Sequence, residues 1–241
     1  MSDAELFGRV RELRARGASP RDIARALGVR PAVVAPLVRE VAREEMAGKG
    51  GPPVVGCWIS PGWSEGLMFE GHPEWRRGAD DEVGGASGAV LVMVARRHRR
   101  RTVSICGYLV DVWCLGVKDA LGPRVVDEGE LQGILDDFFG AYGADPLDAP
   151  LELTQELVLG AVDYARELGF EPHPDFALAR AHLGSWSGPA EIRFGRDGKP
   201  YFIQGPADDT ERIMATLRDS VGEDGFHFIA RLDFDELGNA A

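Results

Sequence analysis

The chain has 241 residues, with 27 Lys and Arg against 39 Asp and Glu, a formal net charge of -12. That is enough chain to bury a core without staples, and its three cysteines, an odd number without CxxC spacing, exclude a disulfide framework and a thiolate zinc cage. The longest apolar run, AVLVMVA at 89–95, falls far short of the roughly 20 residues a spanning helix needs, and MSDAELFGRV has no basic segment leading into an apolar one. The expectation is a cytoplasmic protein in a reducing compartment, with no membrane partner. Charge is unevenly shared: residues 1–50 hold ten basic and seven acidic side chains, a surplus of +3, so the rest carries -15 to reach the total of -12.

Leu6, Val10 and Leu13 in ELFGRVRELRARG recur at i, i+4 and i+7, one helical face, and Gly17 follows as a left-handed stop. Ser19-Pro20-Arg21-Asp22 combines an N-cap, a proline at the first helical position and an acid three residues after the cap, so a second helix runs from about Pro20 to Leu27. Gly28 supplies a sharp turn, Pro31 opens a third helix, and Val34, Leu37 and Val41 carry its apolar stripe. AGKGGPPV at 47–54 is a connector by composition. The division is therefore 1–46 for a helical domain, 47–53 for a linker and 54–241 for a larger domain.

Three short helices, the last two joined by a glycine turn, resemble the helix-turn-helix DNA-binding domains of bacterial regulators. Ile23-Ala24 matches the pair whose alanine lets the helices approach, Leu27 a core position, Gly28 the turn, and Val34 and Leu37 the buried positions of the second helix. The resemblance implies that Arg30, Pro31, Ala32, Ala35 and Pro36 face base edges. Of these only Arg30 can make a bidentate contact, so base reading is poor. Pro36 lacks the amide that would bond to Ala32, which predicts a kink or a lost bond. Arg21, Arg25 and Arg39 are placed for phosphates, although each alone reads equally as part of a solvated basic face. Three-helix units also serve as adaptors or dimerisation elements.

In the larger domain VVGCWIS reads as a strand, and the segment after it is loop-rich, with Trp58, Trp63 and Trp75 as core residues or pocket liners. AVLVMVA and TVSICGYLVDV flank the basic ARRHRRRT, a strand-loop-strand pattern that puts Arg96, Arg97, Arg99, Arg100 and Arg101 on an exposed tip. There they either pair with the acidic runs DDEV at 80–83 and DEGE at 127–130 or contact phosphate, which arginine grips in bidentate fashion. ELQGILDDFFGAYG, LELTQELVLGAVDYARELG, PDFALARAHLG and ADDTERIMATLRDS follow as helices, EIRFGRDGKPYFIQ as a hairpin about Asp197-Gly198, and FHFIARLDF as a last strand. Without regular βαβ alternation the fold class is α+β: a small all-α three-helix domain followed by a larger mixed one. GYLVDVWCLGVKDAL, ARELGFEPHPDFALARAHLG and FGRDGKPYFIQGP resemble a domain that recurs in bacterial proteins of unassigned function, a resemblance that implies no activity.

Cys114 is the weak catalytic candidate: in DVWCLGVKDA it stands where a strand meets a helix, with Lys118 one turn on, a setting that lowers a thiol pKa. Its neighbours Val, Trp and Leu suit a small buried hydrophobe equally. His72, His98, His173, His182 and His227 offer bases without a catalytic signature. His173, Asp175 and His182 could share one side of a metal site. The chain has no HExxH, GxxxxGK[ST] or GxGxxG motif, so no metal and no cofactor are expected. Asp136-Asp137 and Asp208-Asp209 read as solvated faces. The sequence thus points to a DNA-binding regulatory or DNA-associated protein, leaning away from an enzyme. Its helices contact phosphates, and its larger domain offers a homodimer, ligand or protein-partner surface. The alternatives are a Cys/His-dependent hydrolase or nuclease, and an RNA- or ribosome-associated protein.

Overall fold

In a computed structural model, residues 3–15, 18–48, 51–69, 75, 88–140 and 145–229 are described. Contacts divide the chain into two units, Met1–Pro52 and Pro53–Ala241. The first consists of α1 (Asp3–Ala15), α2 (Pro20–Leu27) and α3 (Pro31–Gly48). Ser19 starts α2 by accepting the Asp22 N–H at 3.3 Å. Gly28 ends it at φ +65°, where the chain reverses and the Val29 N–H reaches back to the Ala24 carbonyl at 3.1 Å. Val10, Ile23, Ala24, Val34 and Val41 form its core, with Phe7, Leu13, Leu27 and Leu37 packed around them. The helix α3 runs on through Pro36. Gly17, the expected stop of α1, lies outside the described residues.

The second unit is built on a five-stranded antiparallel sheet in the order β5-β4-β3-β1-β6, comprising β1 (Val54–Ile59), β3 (Ala89–Arg99), β4 (Thr102–Asp111), β5 (Gly116–Asp127) and β6 (Leu147–Asp148). Strand and helix together make this unit α+β. Alternate residues of β3 serve opposite faces. Val90, Val92 and Val94 join Cys106, Tyr108 and Val110 of β4 under the helical run 151–167. Met93 and Ala95 join Val103 and Ile105 under α4 (Leu131–Phe139). Coverage on both faces is why β3 reads as an unbroken apolar run rather than an alternating one.

The run 151–167 is not one regular helix: α5 (Leu151–Gln155) passes through a π-helical segment, Glu156–Gly160, into α6 (Ala161–Glu167). Beyond it lie the short α7 (Phe176–Ala179), α8 (Thr210–Val221), and two small sheets. One pairs β2 (Met68–Phe69) with β7 (Ile192–Arg193), and the other pairs β8 (Tyr201–Ile203) in parallel with β9 (His227–Ile229).

Two sequence expectations change here. The segment after Cys114 is the long edge strand β5, not a helix. Asp197 at φ 53° and Gly198 at φ 79° do form the tight turn, but only Arg196 and Lys199 bridge across it, and β7 and β8 leave for different sheets. The last strand is described for His227–Ile229 alone. No described helix is long and apolar enough to cross a membrane.

Two of the glycines at positive φ, Gly28 and Gly116, would tolerate a side chain at different cost. A Cβ on Gly28 would meet nothing within 4 Å, whereas one on Gly116, at φ +68°, would lie 2.8 Å from Ala165 Cβ and 2.9 Å from the Ala161 carbonyl oxygen. Gly28→Ala should therefore cost the first unit about 1 kcal/mol of strain, and Gly116→Ala should cost the second about 3 kcal/mol or more through strain plus overlap. All five tryptophans lie in the second unit. Urea unfolding followed by tryptophan emission for Gly116→Ala, and by helical circular dichroism for Gly28→Ala, checks the ordering.

Candidate functional site

The pleat of β3 sends consecutive arginines to opposite faces. Arg96 continues the Val92 and Val94 row and is 2% exposed. Its Nε donates to the His182 carbonyl and a terminal nitrogen donates to the Leu183 carbonyl at 3.1 Å. Arg97, on the other face, holds Glu128 in a bidentate pair at 2.6 and 2.7 Å. One of the two acidic runs foreseen as partners, DEGE, thus supplies a counter-charge. The other, at 80–83, lies outside the described residues. The strand continues to Arg99, and only Arg99, Arg100 and Arg101 with His98 form an exposed tip. The expectation of an exposed, phosphate-contacting tip therefore fails at Arg96, because a guanidinium already satisfied by buried carbonyls cannot reach a solvated phosphate.

In the first unit Arg21, Arg25 and Arg30 are exposed. Arg25 pairs with Asp22 at 3.4 Å while keeping 83% of its side chain in solvent, so water screens the pair. Pro31, Ala32, Val33, Ala35 and Pro36 present an exposed small apolar surface on α3. The Arg39 backbone lies in α3, but its side chain lies outside the described residues.

Cys114 is fully buried in the turn between β4 and β5. Desolvation, with the charge of Asp111 beside it, pushes its thiol well above the usual range, and Lys118 does not offset this. No helix begins there to lower it, so the reactive-thiol reading is corrected to a buried hydrophobe. Lys118 instead holds Asp208 at 2.7 Å, and Asp209 caps α8 through the Arg212 N–H at 3.1 Å. The Asp208-Asp209 pair is thus structural rather than a solvated face. Asp111 Oδ1 accepts the N–H groups of Trp113 at 2.9 Å and Cys114 at 3.0 Å, closing the turn, yet burial raises its carboxyl to about 6.

The histidines separate. His182 Nε2 meets the Ser104 carbonyl at 2.8 Å, and burial lowers its pKa. His173 is joined not by His182 but by Asp119 and Asp175, each with a carboxylate oxygen 3.8 Å from His173 Nδ1. Zinc bonds of about 2.1 Å would set tetrahedral donors roughly 3.4 Å apart, so this set lies slightly open for a metal. The more enclosed feature is a cavity of about 450 Å³ at the start of the π-helical segment, lined among others by Trp75, Glu152, Gln155, Glu156, Trp186 and Glu191. Sequence reading flagged only Trp75 among these. Glu156 and Trp186 lie thirty positions apart, and no periodicity links them.

No family model, curated protein or solved structure matches the chain.

Two of these buried charges make opposite demands. Arg96→Met removes both donors from the His182 and Leu183 carbonyls and should destabilise the second unit by about 2–4 kcal/mol. Arg99→Ala and Arg100→Ala should leave the urea midpoint unmoved. For Asp111 the folded pKa, about 6, lies above the ordinary 3.8, so the folded state holds its proton more tightly. Stability from this group is fullest at low pH and is lost as pH climbs between those values. Asp111→Asn keeps the accepting oxygen without the charge. Its unfolding free energy relative to the parent should rise by about 2 kcal/mol from about pH 4 to about pH 7 in paired urea titrations.

Proposed function

We propose that the chain is a DNA-associated regulatory protein whose helical unit is a helix-turn-helix domain gripping the phosphate backbone, the larger unit serving as its ligand, partner or dimerisation domain. The observation that carries the reading is the α2–α3 corner. Gly28 in the left-handed region lets α3 leave sharply from α2, Ile23 and Ala24 pack inward, and Arg21, Arg25 and Arg30 remain in solvent around the exposed first turns of α3. A recognition helix whose leading face is Pro31, Ala32, Val33, Ala35 and Pro36 has few donors for base edges, so affinity comes mainly from phosphates and depends steeply on salt. Arg99, Arg100 and Arg101 supply further exposed cations in the larger unit. The buried, high-pKa Cys114 removes the main support for the hydrolase alternative.

Fluorescence anisotropy with a mixed-sequence duplex tests this. The parent should bind at low ionic strength and weaken log-linearly with salt. Arg21→Ala/Arg25→Ala should bind more weakly and flatten that slope by about two phosphate contacts. Equal affinity and equal slope in the double variant would sink the assignment.

A further inference from the structure

We propose that Asp119, His173 and Asp175 form a binding site for a divalent transition-metal ion, with zinc the best match. This goes beyond the DNA reading and does not depend on it. Sequence spacing offered His182 as the companion of His173 and Asp175, but folding brings Asp119 of β5 into that place. One donor atom from each of the three lies within 4.8 Å of the other two. Both carboxylates stand 3.8 Å from His173 Nδ1, too far for a hydrogen bond and about 0.4 Å beyond the spacing that a shared zinc ion imposes. Among the described residues neither aspartate forms an ion pair with Lys or Arg, so their negative charge is left to the imidazole or to a cation from solution.

The backbone holds these donors in place. His173 donates its N–H to the Val117 carbonyl at 2.9 Å, which ties its segment to the strand two residues before Asp119. Pro172 and Pro174 restrict φ on either side of it. Asp119 Oδ1 accepts the Ala120 N–H at 2.7 Å, and an ionised carboxylate has further acceptor positions to spare. The Asp175 N–H points at His173 Nδ1 at 3.4 Å, so that nitrogen carries the lone pair a metal takes. Such a long bond is readily given up. One nitrogen and two oxygens suit zinc better than magnesium, which keeps an all-oxygen shell. Three protein ligands leave a position open, the arrangement of reactive rather than structural zinc sites. His173 also lines a cavity of about 340 Å³ whose other walls include Lys118, Phe170 and Arg212, so the ion would border a space of small-molecule size.

The test uses the full chain after chelator treatment, titrated with zinc chloride by calorimetry. A single Zn²⁺ should bind with a Kd below about 50 µM, and an about tenfold excess of Mg²⁺ should not displace it. All three side chains keep 40% or more of their surface in solvent, so His173→Ala, Asp119→Asn and Asp175→Asn should fold as the parent does. Each should weaken Zn²⁺ binding about tenfold or more. Co²⁺ in place of Zn²⁺ should give a visible d–d absorption that His173→Ala removes. His98→Ala and His227→Ala, at exposed histidines outside the set, should change nothing. Absence of Zn²⁺ binding in this range would overturn the proposal and leave a histidine bridged by two carboxylates. So would binding that all three variants retain, or that Mg²⁺ displaces at equal concentration.

Discussion

A guanidinium inside a protein must be solvated by something other than water, and in this chain that requirement organises one whole side of the larger unit. Strand periodicity places Arg96 on the face shared by Val92 and Val94, where apolar neighbours give it nothing to bond. The carbonyls of His182 and Leu183 supply what the sheet cannot. Tyr108, two pairs from Ser104 along the same row of β4, holds the Ala179 carbonyl at 2.9 Å, and His182 reaches back to Ser104. The stretch from 179 to 183 is therefore fixed to the sheet by polar bonds rather than by a regular element. Gln155 extends the same tie from Leu183 to Ser185. The wall of the acidic cavity thus hangs from an arginine that reads, in sequence, as part of a surface cluster.

The other end of the β3–β4 ladder is governed by the opposite charge. Asp111 pairs with Ala89 across the strands and turns its oxygen onto the amides of Trp113 and Cys114. That turn buries Trp113, whose indole donates to the Glu65 carbonyl at 2.8 Å and lies beneath the Arg196 guanidinium at 4.9 Å. The acid is expensive where it sits, as its raised pKa records, but it fixes the reversal onto which the loop near Glu65 and the segment around Arg196 are packed. One hairpin carries a buried cation near its tip and a buried anion at its base, and each orders irregular backbone that packing alone would leave loose.

Local chemistry made the helical unit legible. Ser19, Pro20 and Gly28 act within a few residues of themselves, so start, stop and turn follow from residue type. The β3–β4 hairpin was legible for the same reason. The strand β5 was not, because GVKDALGPRVVD is charged on its exposed row and sits at a sheet edge, where the alternation that marks a strand weakens to Val117, Ala120 and Val126. The division of the arginine stretch was half legible: the pleat follows from the strand, but that the segment near His182 would return to meet Arg96 is a contact across 86 positions that no local pattern encodes. Nor could spacing join Glu156 to Trp186, or Asp119 to His173, since tertiary folding alone brings them together.

The acidity of the larger unit does not by itself argue against contact with a polyanion. Free charges feel one another over roughly 8 Å at physiological ionic strength, so a module responds to the charge in its own vicinity rather than to the chain's total. Around the α2–α3 corner that vicinity holds Arg21, Arg25 and Arg30 in solvent, with Asp22 partly spent on Ser19 and Arg25. On the proposed DNA reading, few cations and a leading face of proline, alanine and valine would give weak, sequence-tolerant adhesion. A second copy of the corner would multiply that through effective concentration without adding a single base contact. The same locality lets one chain hold an exposed basic helical corner and a carboxylate-lined cavity without either charge cancelling the other.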